Sequence, residues 1–143
     1  MIVRNIEIND FESLTPLFSD LGYPSEPYSI KKRLTGILED KSYYLIGVDF
    51  GGKIVGMCGY CVMHQFESDE LYARILALVV DGKYRGKGYA QAMLQFVEKW
   101  CKNQGINIMT LNSGMRDERK AAHEFYQKYG FHQKSFGYSK IIE

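Results

Sequence analysis

The amino-acid sequence predicts a mixed α/β (α+β) fold in which helices cover a β-sheet. Three observations carry this. Segments rich in β-forming residues alternate with segments whose apolar residues recur every three or four positions. The run from Ile75 to Val80 is apolar without alternation, as expected for a strand covered on both faces at the centre of a sheet. Turn signals fall at short intervals, and no repeat, low-complexity tract or Pro/Ser-rich linker interrupts them. Residues 1–143 therefore read as one domain, a length that buries roughly 70% of the unfolded chain's surface.

A short strand, Ile2 to Ile6, opens the chain, followed by a helix from about Asp10 to Leu21 with Asn9 and Glu12 at capping-box spacing. Ser29 is placed to cap a second helix, whose stripe Ile30, Leu34, Ile37 and Leu38 runs to Asp40. Tyr43 to Phe50 and Ile54 to Gln65 read as a hairpin through Gly51 and Gly52. Leu71 to Asp81 is the central strand. Met93, Leu94, Val97 and Trp100 mark a helix over Gly88 to Asn103, ended by Gly105. Ile106 to Leu111 is a further central strand, Glu118 to Tyr129 a helix stopped by Gly130, and Phe131 to Ile142 holds two short final strands.

With 45% hydrophobic and 24% charged residues and a net charge of +1, the chain has no global field to draw in nucleic acid or an anionic membrane. Met1 to Asp10 lacks the apolar core of a signal peptide, and no apolar run approaches the roughly 18 residues that span a bilayer. The expected location is the cytoplasm, with Cys58, Cys61 and Cys101 as reduced thiols. Cys58 and Cys61 lie three apart in a strand, so they point to opposite faces and read as small core residues. No second pair completes a zinc site, and no metal is expected.

The chemistry concentrates between the central strand and its helix, in Asp81-Gly-Lys-Tyr-Arg-Gly-Lys-Gly-Tyr-Ala90. The first amides of a helix lack intrahelical acceptors, and the macrodipole places about half a positive charge there. Gly86 and Gly88 leave the backbone open to approach, while Arg85 and Lys87 add formal charge. This is an anion site.

The order Arg85-x-x-Gly88-x-Ala90, after Leu78-Val79-Val80 and before Met93-Leu94, resembles the coenzyme A signature of the Gcn5-related N-acetyltransferase (GNAT) family. A second stretch, Ala122-His-Glu-Phe-Tyr126-Gln-Lys-Tyr-Gly-Phe131, is similar to that family's late helix. The resemblance implies a mostly antiparallel sheet splayed in the middle and flanked by about four helices. It also implies acetyl-CoA as cosubstrate. Backbone amides from Arg85, Gly86, Lys87, Gly88, Tyr89 and Ala90 would hold the pyrophosphate, and Leu78, Val79 and Val80 would run beside pantetheine like an added strand. The split between strands would lie between Leu76 to Val80 and Met109 to Asn112, and Tyr126 would stand near the sulfur as general acid. Apolar residues of the final strands would suit a homodimer, as in many relatives.

Two positions depart from the family pattern. Arg119 stands where relatives often have an asparagine that bonds the pantetheine arm, a role not assigned to the nearby Asn112. Many relatives carry a glutamate base in the central strand, whereas this strand offers only Arg74 and small or apolar residues. An amine of pKa about 10.4 costs roughly 4 to 5 kcal/mol to deprotonate at pH 7, whereas a departing thiolate lies only about 2 kcal/mol from its proton balance. The base is thus the larger requirement, and Glu67, Asp69, Glu70 and His123 are the candidates.

The segment Leu21 to Tyr28 would line the acceptor site, where Glu26, Tyr28 and Phe66 could hold a small cationic amine. The Ala122-His123 pair and the tail from Phe136 to Lys140 are similar to relatives that acetylate small amines such as aminoalkylphosphonates or aminoglycosides. A protein or peptide acetyltransferase and a non-catalytic coenzyme A sensor are the alternatives. A dinucleotide-binding oxidoreductase is disfavoured because Gln91 stands at the third glycine of its fingerprint.

Overall fold

The computed structural model describes residues 1–113 and 119–142. Five strands form a sheet in chain order: β1 (Ile2–Asn5), β2 (Tyr43–Phe50), β3 (Lys53–His64), β4 (Leu71–Val80) and β5 (Met109–Leu111). The first four pair antiparallel, and β5 joins β4 in parallel. The helices are α1 (Thr15–Asp20), α2 (Pro27–Glu39), α3 (Tyr89–Asn103) and α4 (Lys120–Tyr129). The mixed α/β expectation, with a mostly antiparallel sheet, holds.

Strand alternation divides the apolar residues between two cores. Under α3, the strand residues Ile46, Cys58, Tyr60, Ala73 and Ile75 meet Met93, Leu94 and Val97. On the opposite face, Met57 and Val79 meet Leu14, Leu17, Ile30 and Leu34. Cys58 packs under α3, and Cys61, an odd number of residues on, takes the other face.

The unbroken apolar run of β4 has a different cause from the one its sequence suggests. Gly59 pairs with Ala77 and Tyr60 with Ile75, so Leu76 is an extra, unpaired residue and is exposed. Ala73 and Ile75 face α3 before this bulge; Leu78 and Val80 face it afterwards, and Val79 faces the second core. A run that looks covered on both sides is an alternating strand whose phase shifts once.

The first two helices and the last strand differ most from expectation. The first helix is a 3-10 stretch, Ile8–Leu14, leading into α1, because Pro16 has no N–H to continue an α-helical ladder. Its entry is fixed by Asp10, whose Oδ2 accepts from Glu7 N–H at 2.8 Å, rather than by Asn9 and Glu12. The second helix begins two residues before Ser29, at Pro27, whose fixed φ suits a first turn. β5 covers only Met109–Leu111 of the expected strand.

The final strands expected over Phe131 to Ile142 do not form. Phe131 stacks on Tyr129 with ring centroids 5.8 Å apart, but Phe136, Tyr138, Ile141 and Ile142 are exposed. A three-residue β5 offers little edge on which a further ladder could build. The expected start of the late helix at Glu118 lies outside the described residues.

Candidate functional site

The turn between β4 and α3 is held by two acids, one of its own and one from α1. Asp81 is buried; its Oδ1 accepts from Lys83 N–H at 3.0 Å, and its N–H donates to Val55 O at 2.9 Å. Asp20, at the end of α1, reaches across the chain: its Oδ2 accepts from Gly82 N–H at 3.0 Å and stands 3.5 Å from Arg85 Nη2. The ion pair is exposed and screened, so the backbone contact is the stronger restraint. Nothing in the sequence marks Asp20 for this role, since 62 residues separate it from Gly82.

Past that anchor the turn opens. Gly86 and Gly88 have φ of +77° and +81°, a region that L-residues avoid, and a Cβ built on either would meet nothing within 4 Å. Gly88 precedes α3 with no side-chain cap, and no acidic residue lies in the first turn. The first amides of α3 are thus left to an outside acceptor. Arg85 and Lys87 are exposed beside them, with Lys87 Nζ 5.5 Å from the Tyr84 ring centre. Tyr89 is buried in the core under α3, so it can offer a ligand its backbone only.

The same turn follows the one stretch of β4 that β5 does not pair. The β4–β5 ladder stops at Ile75 opposite Leu111, immediately before the bulge. From Ala77 to Val80 the strand keeps its bonds to β3 but has no described strand on its other edge. Arg85 Nε donates to Val80 O at 3.3 Å, which shows that this carbonyl faces the gap. By the two-residue repeat, Leu78 directs its carbonyl the same way. On β4 the opening lies within the expected stretch Leu76 to Val80, but the expected other wall differs, since Met109–Leu111 is laddered to Ala73–Ile75.

Tyr126 lies on α4. Its ring lies against Phe125 and Phe131, with centroids 5.8 and 6.1 Å away. Burial raises the phenol's pKa above its ordinary value; the Arg119 guanidinium opposes that rise, and Cys58 adds to it. The phenol is therefore protonated at neutral pH. Arg119 itself sits directly before α4 and makes no capping bond.

The base candidates fall in two places. Glu67, Asp69 and Glu70 are exposed in the loop before β4, and Glu70 lies roughly 20 Å along the strand from Leu76 at the usual rise per residue. His123 is half-buried on α4, its Nε2 3.1 Å from Ser113 Oγ. Glu26, Tyr28 and Phe66 are exposed on α2's approach and in the loop before β4. Of these groups, His123 shares α4 with Tyr126, three residues away, and the carboxylates of Glu67, Asp69 and Glu70 lie in the loop before β4. Among the described residues, no cluster of three or more His, Cys, Asp or Glu is placed to hold a metal, and no helix is long and apolar enough to cross a membrane.

One polar pair stands out on β4 and β5. With its amide oriented to satisfy both ends, Asn112 accepts from Arg74 Nη2 at 2.8 Å and donates to Leu111 O at 3.2 Å. The signal for it in the sequence is Arg74 itself, the one charged residue inside β4.

Comparison with known proteins agrees with this geometry. Residues 5–131 match the acetyltransferase (GNAT) family. The structure of a GNAT family acetyltransferase from Staphylococcus aureus subsp. aureus USA300_TCH1516 is similar with a TM-score of 0.82 and 33% identity, over 99% of this chain and 98% of that one. The uncharacterized N-acetyltransferase YhdJ of Bacillus subtilis (strain 168) is 29% identical over 128 residues, 89% of this chain and 88% of its own length. The aminoalkylphosphonate N-acetyltransferase of Salmonella typhimurium (strain LT2) is 24% identical over 106 residues, 74% of this chain and 67% of its own. Sequence and fold thus agree over nearly the whole chain, which belongs to the acetyltransferase (GNAT) family and is an acetyltransferase.

Proposed function

We propose that residues 1–143 form one cytoplasmic domain that transfers the acetyl group of acetyl-CoA to the primary amine of a small molecule. The observation that carries this reading is the continuous path from the unpaired edge of Ala77 to Val80 into the uncapped start of α3. A pantetheine arm can add its amides to that edge as a strand would, and a pyrophosphate suits the amides from Arg85 to Ala90. These residues fit the cosubstrate by their open backbone: glycines at positive φ, with empty space where a Cβ would stand.

The chemistry is direct attack of a neutral amine on the thioester carbonyl in a ternary complex. The new C–N bond forms as the C–S bond breaks, and the departing thiolate takes its proton from Tyr126. Burial among Phe125 and Phe131 keeps that proton on the phenol until it is needed. The amine's proton leaves through water or through an acceptor that brings its own low pKa, since β4 supplies no carboxylate. The aminoalkylphosphonate acceptor named for the Salmonella relative supports the small-amine reading.

The test is release of free thiol from acetyl-CoA against small amines, polyamines, aminoglycosides and peptides, with cofactor binding followed by thermal shift. Turnover of a small amine is the expected outcome. Turnover of peptides alone would place the acceptor among proteins, and binding without turnover would identify a coenzyme A sensor.

A further inference from the structure

We infer that the acceptor amine also carries an anionic group, a carboxylate, phosphonate or phosphate, and that Arg74 holds it. This rests on the acetyl-transfer reading above and narrows its substrate class. Ala73 and Ile75 point into the core under α3, so Arg74 between them projects from the opposite face of the sheet. It lies two residues before the bulge at Leu76 and one before the last β4–β5 pair, at the mouth of the gap.

A half-buried guanidinium is costly to leave without an anion. Among the described residues, no carboxylate lies within ion-pair distance of Arg74, and its one hydrogen bond goes to the neutral Asn112 side chain. Its remaining N–H donors have no acceptor among the described residues. Its register neighbours are Cys61 on β3 and Thr110 on β5. Thr110 alternates with Met109 and Leu111, which pack under α3, so it shares the face of Arg74; its hydroxyl is buried without a partner. Asn112 braces one edge of the guanidinium and leaves the rest of the fork for a bidentate oxyanion. The same charge disfavours polycationic acceptors.

The experiment compares amines matched except for the anion: 2-aminoethylphosphonate and 3-aminopropanoate against ethanolamine, propane-1,3-diamine and an aminoglycoside. The expected result is a preference for the anionic amines of roughly 10- to 100-fold in kcat/KM, the size of a charge-assisted contact. Arg74→Gln should reduce that preference mainly through KM, and Arg74→Lys should restore part of it. Both variants should keep the thermal shift caused by acetyl-CoA, which reports that the fold and cosubstrate site survive. Equal use of the matched amines, or preference for the diamine or aminoglycoside, overturns this inference and leaves the acetyltransferase reading standing. Failure to bind acetyl-CoA overturns both. If acetyl-CoA binds but no amine turns over, an Arg74-dependent thermal shift by 2-aminoethylphosphonate supports the anion site, and its absence overturns it.

Discussion

Replacing Tyr126 by phenylalanine removes one oxygen and separates catalysis from stability. The hydroxyl makes no hydrogen bond to the described residues, so phenylalanine strands no partner and keeps the contacts with Phe125 and Phe131. Stability should change by no more than about 0.5 kcal/mol, as for a substitution that breaks no network. Activity should respond differently. A thiol of ordinary pKa near 8.5 that must leave as the anion at pH 7 forfeits about 1.5 units, or about 2 kcal/mol, corresponding to a loss of roughly 30-fold in kcat. KM for acetyl-CoA should stay within about twofold, because the donor site is built from backbone. The assay is thiol release at saturating acetyl-CoA and amine, beside urea denaturation of both proteins. Wild-type kcat in Tyr126→Phe refutes the acid role. An equal loss of stability and activity would mean that the ring, rather than the proton, matters.

Three further outcomes follow from the geometry. Gly88→Ala should lose about 1 to 2 kcal/mol by denaturation and raise KM for acetyl-CoA, since φ of +81° strains an L-residue and the new methyl stands at the start of α3. Gly47→Ala should lose about 1 to 3 kcal/mol while acetyl-CoA still gives a thermal shift, because its Cβ would stand 2.9 Å from Gly56 O and 3.0 Å from the Ile6 side chain, away from the turn. Arg4 bonds both Asp10 and Asp49, and those bonds hold each carboxyl below its ordinary pKa. A carboxyl depressed in the folded state stabilises above its unfolded pKa of about 3.9 and loses that contribution as pH falls through the folded value. Arg4→Gln should therefore melt below the wild type at pH 7, and the difference in Tm should close as both are titrated below pH 4.

The legible parts of the fold were those written in local periodicity. The stripe Met93, Leu94 and Val97 located α3, and the paired glycines Gly51 and Gly52 located the β2–β3 turn. The turn between β4 and α3 was legible because glycines at fixed positions set its backbone, with Gly86 and Gly88 at positive φ. Features made by distant partners were not. Asp20 holds Gly82 through an oxygen that no local pattern singles out, and Asn112 gains its role from Arg74 on the neighbouring strand. The tail failed for a related reason: Phe136, Tyr138, Ile141 and Ile142 have strand-forming character, but a strand also needs an edge, and β5 is three residues long. Pro16 was readable in principle, since a missing donor just inside a helix announces a change of helical type.

The bulge at Leu76 makes β4 bend without changing which core its later residues serve. Exchanges among Ala77, Leu78, Val79 and Val80 for apolar residues of similar volume would leave each side chain in a core of the right kind. Deleting Leu76 would do the same, because Ile75 and Ala77 already stand opposite the consecutive residues Tyr60 and Gly59 of β3. Leu78 and Val80 would stay under α3 and Val79 on the second core. The one exposed leucine therefore serves neither core; what it adds is the local bend of β4, placed where the pairing with β5 ends.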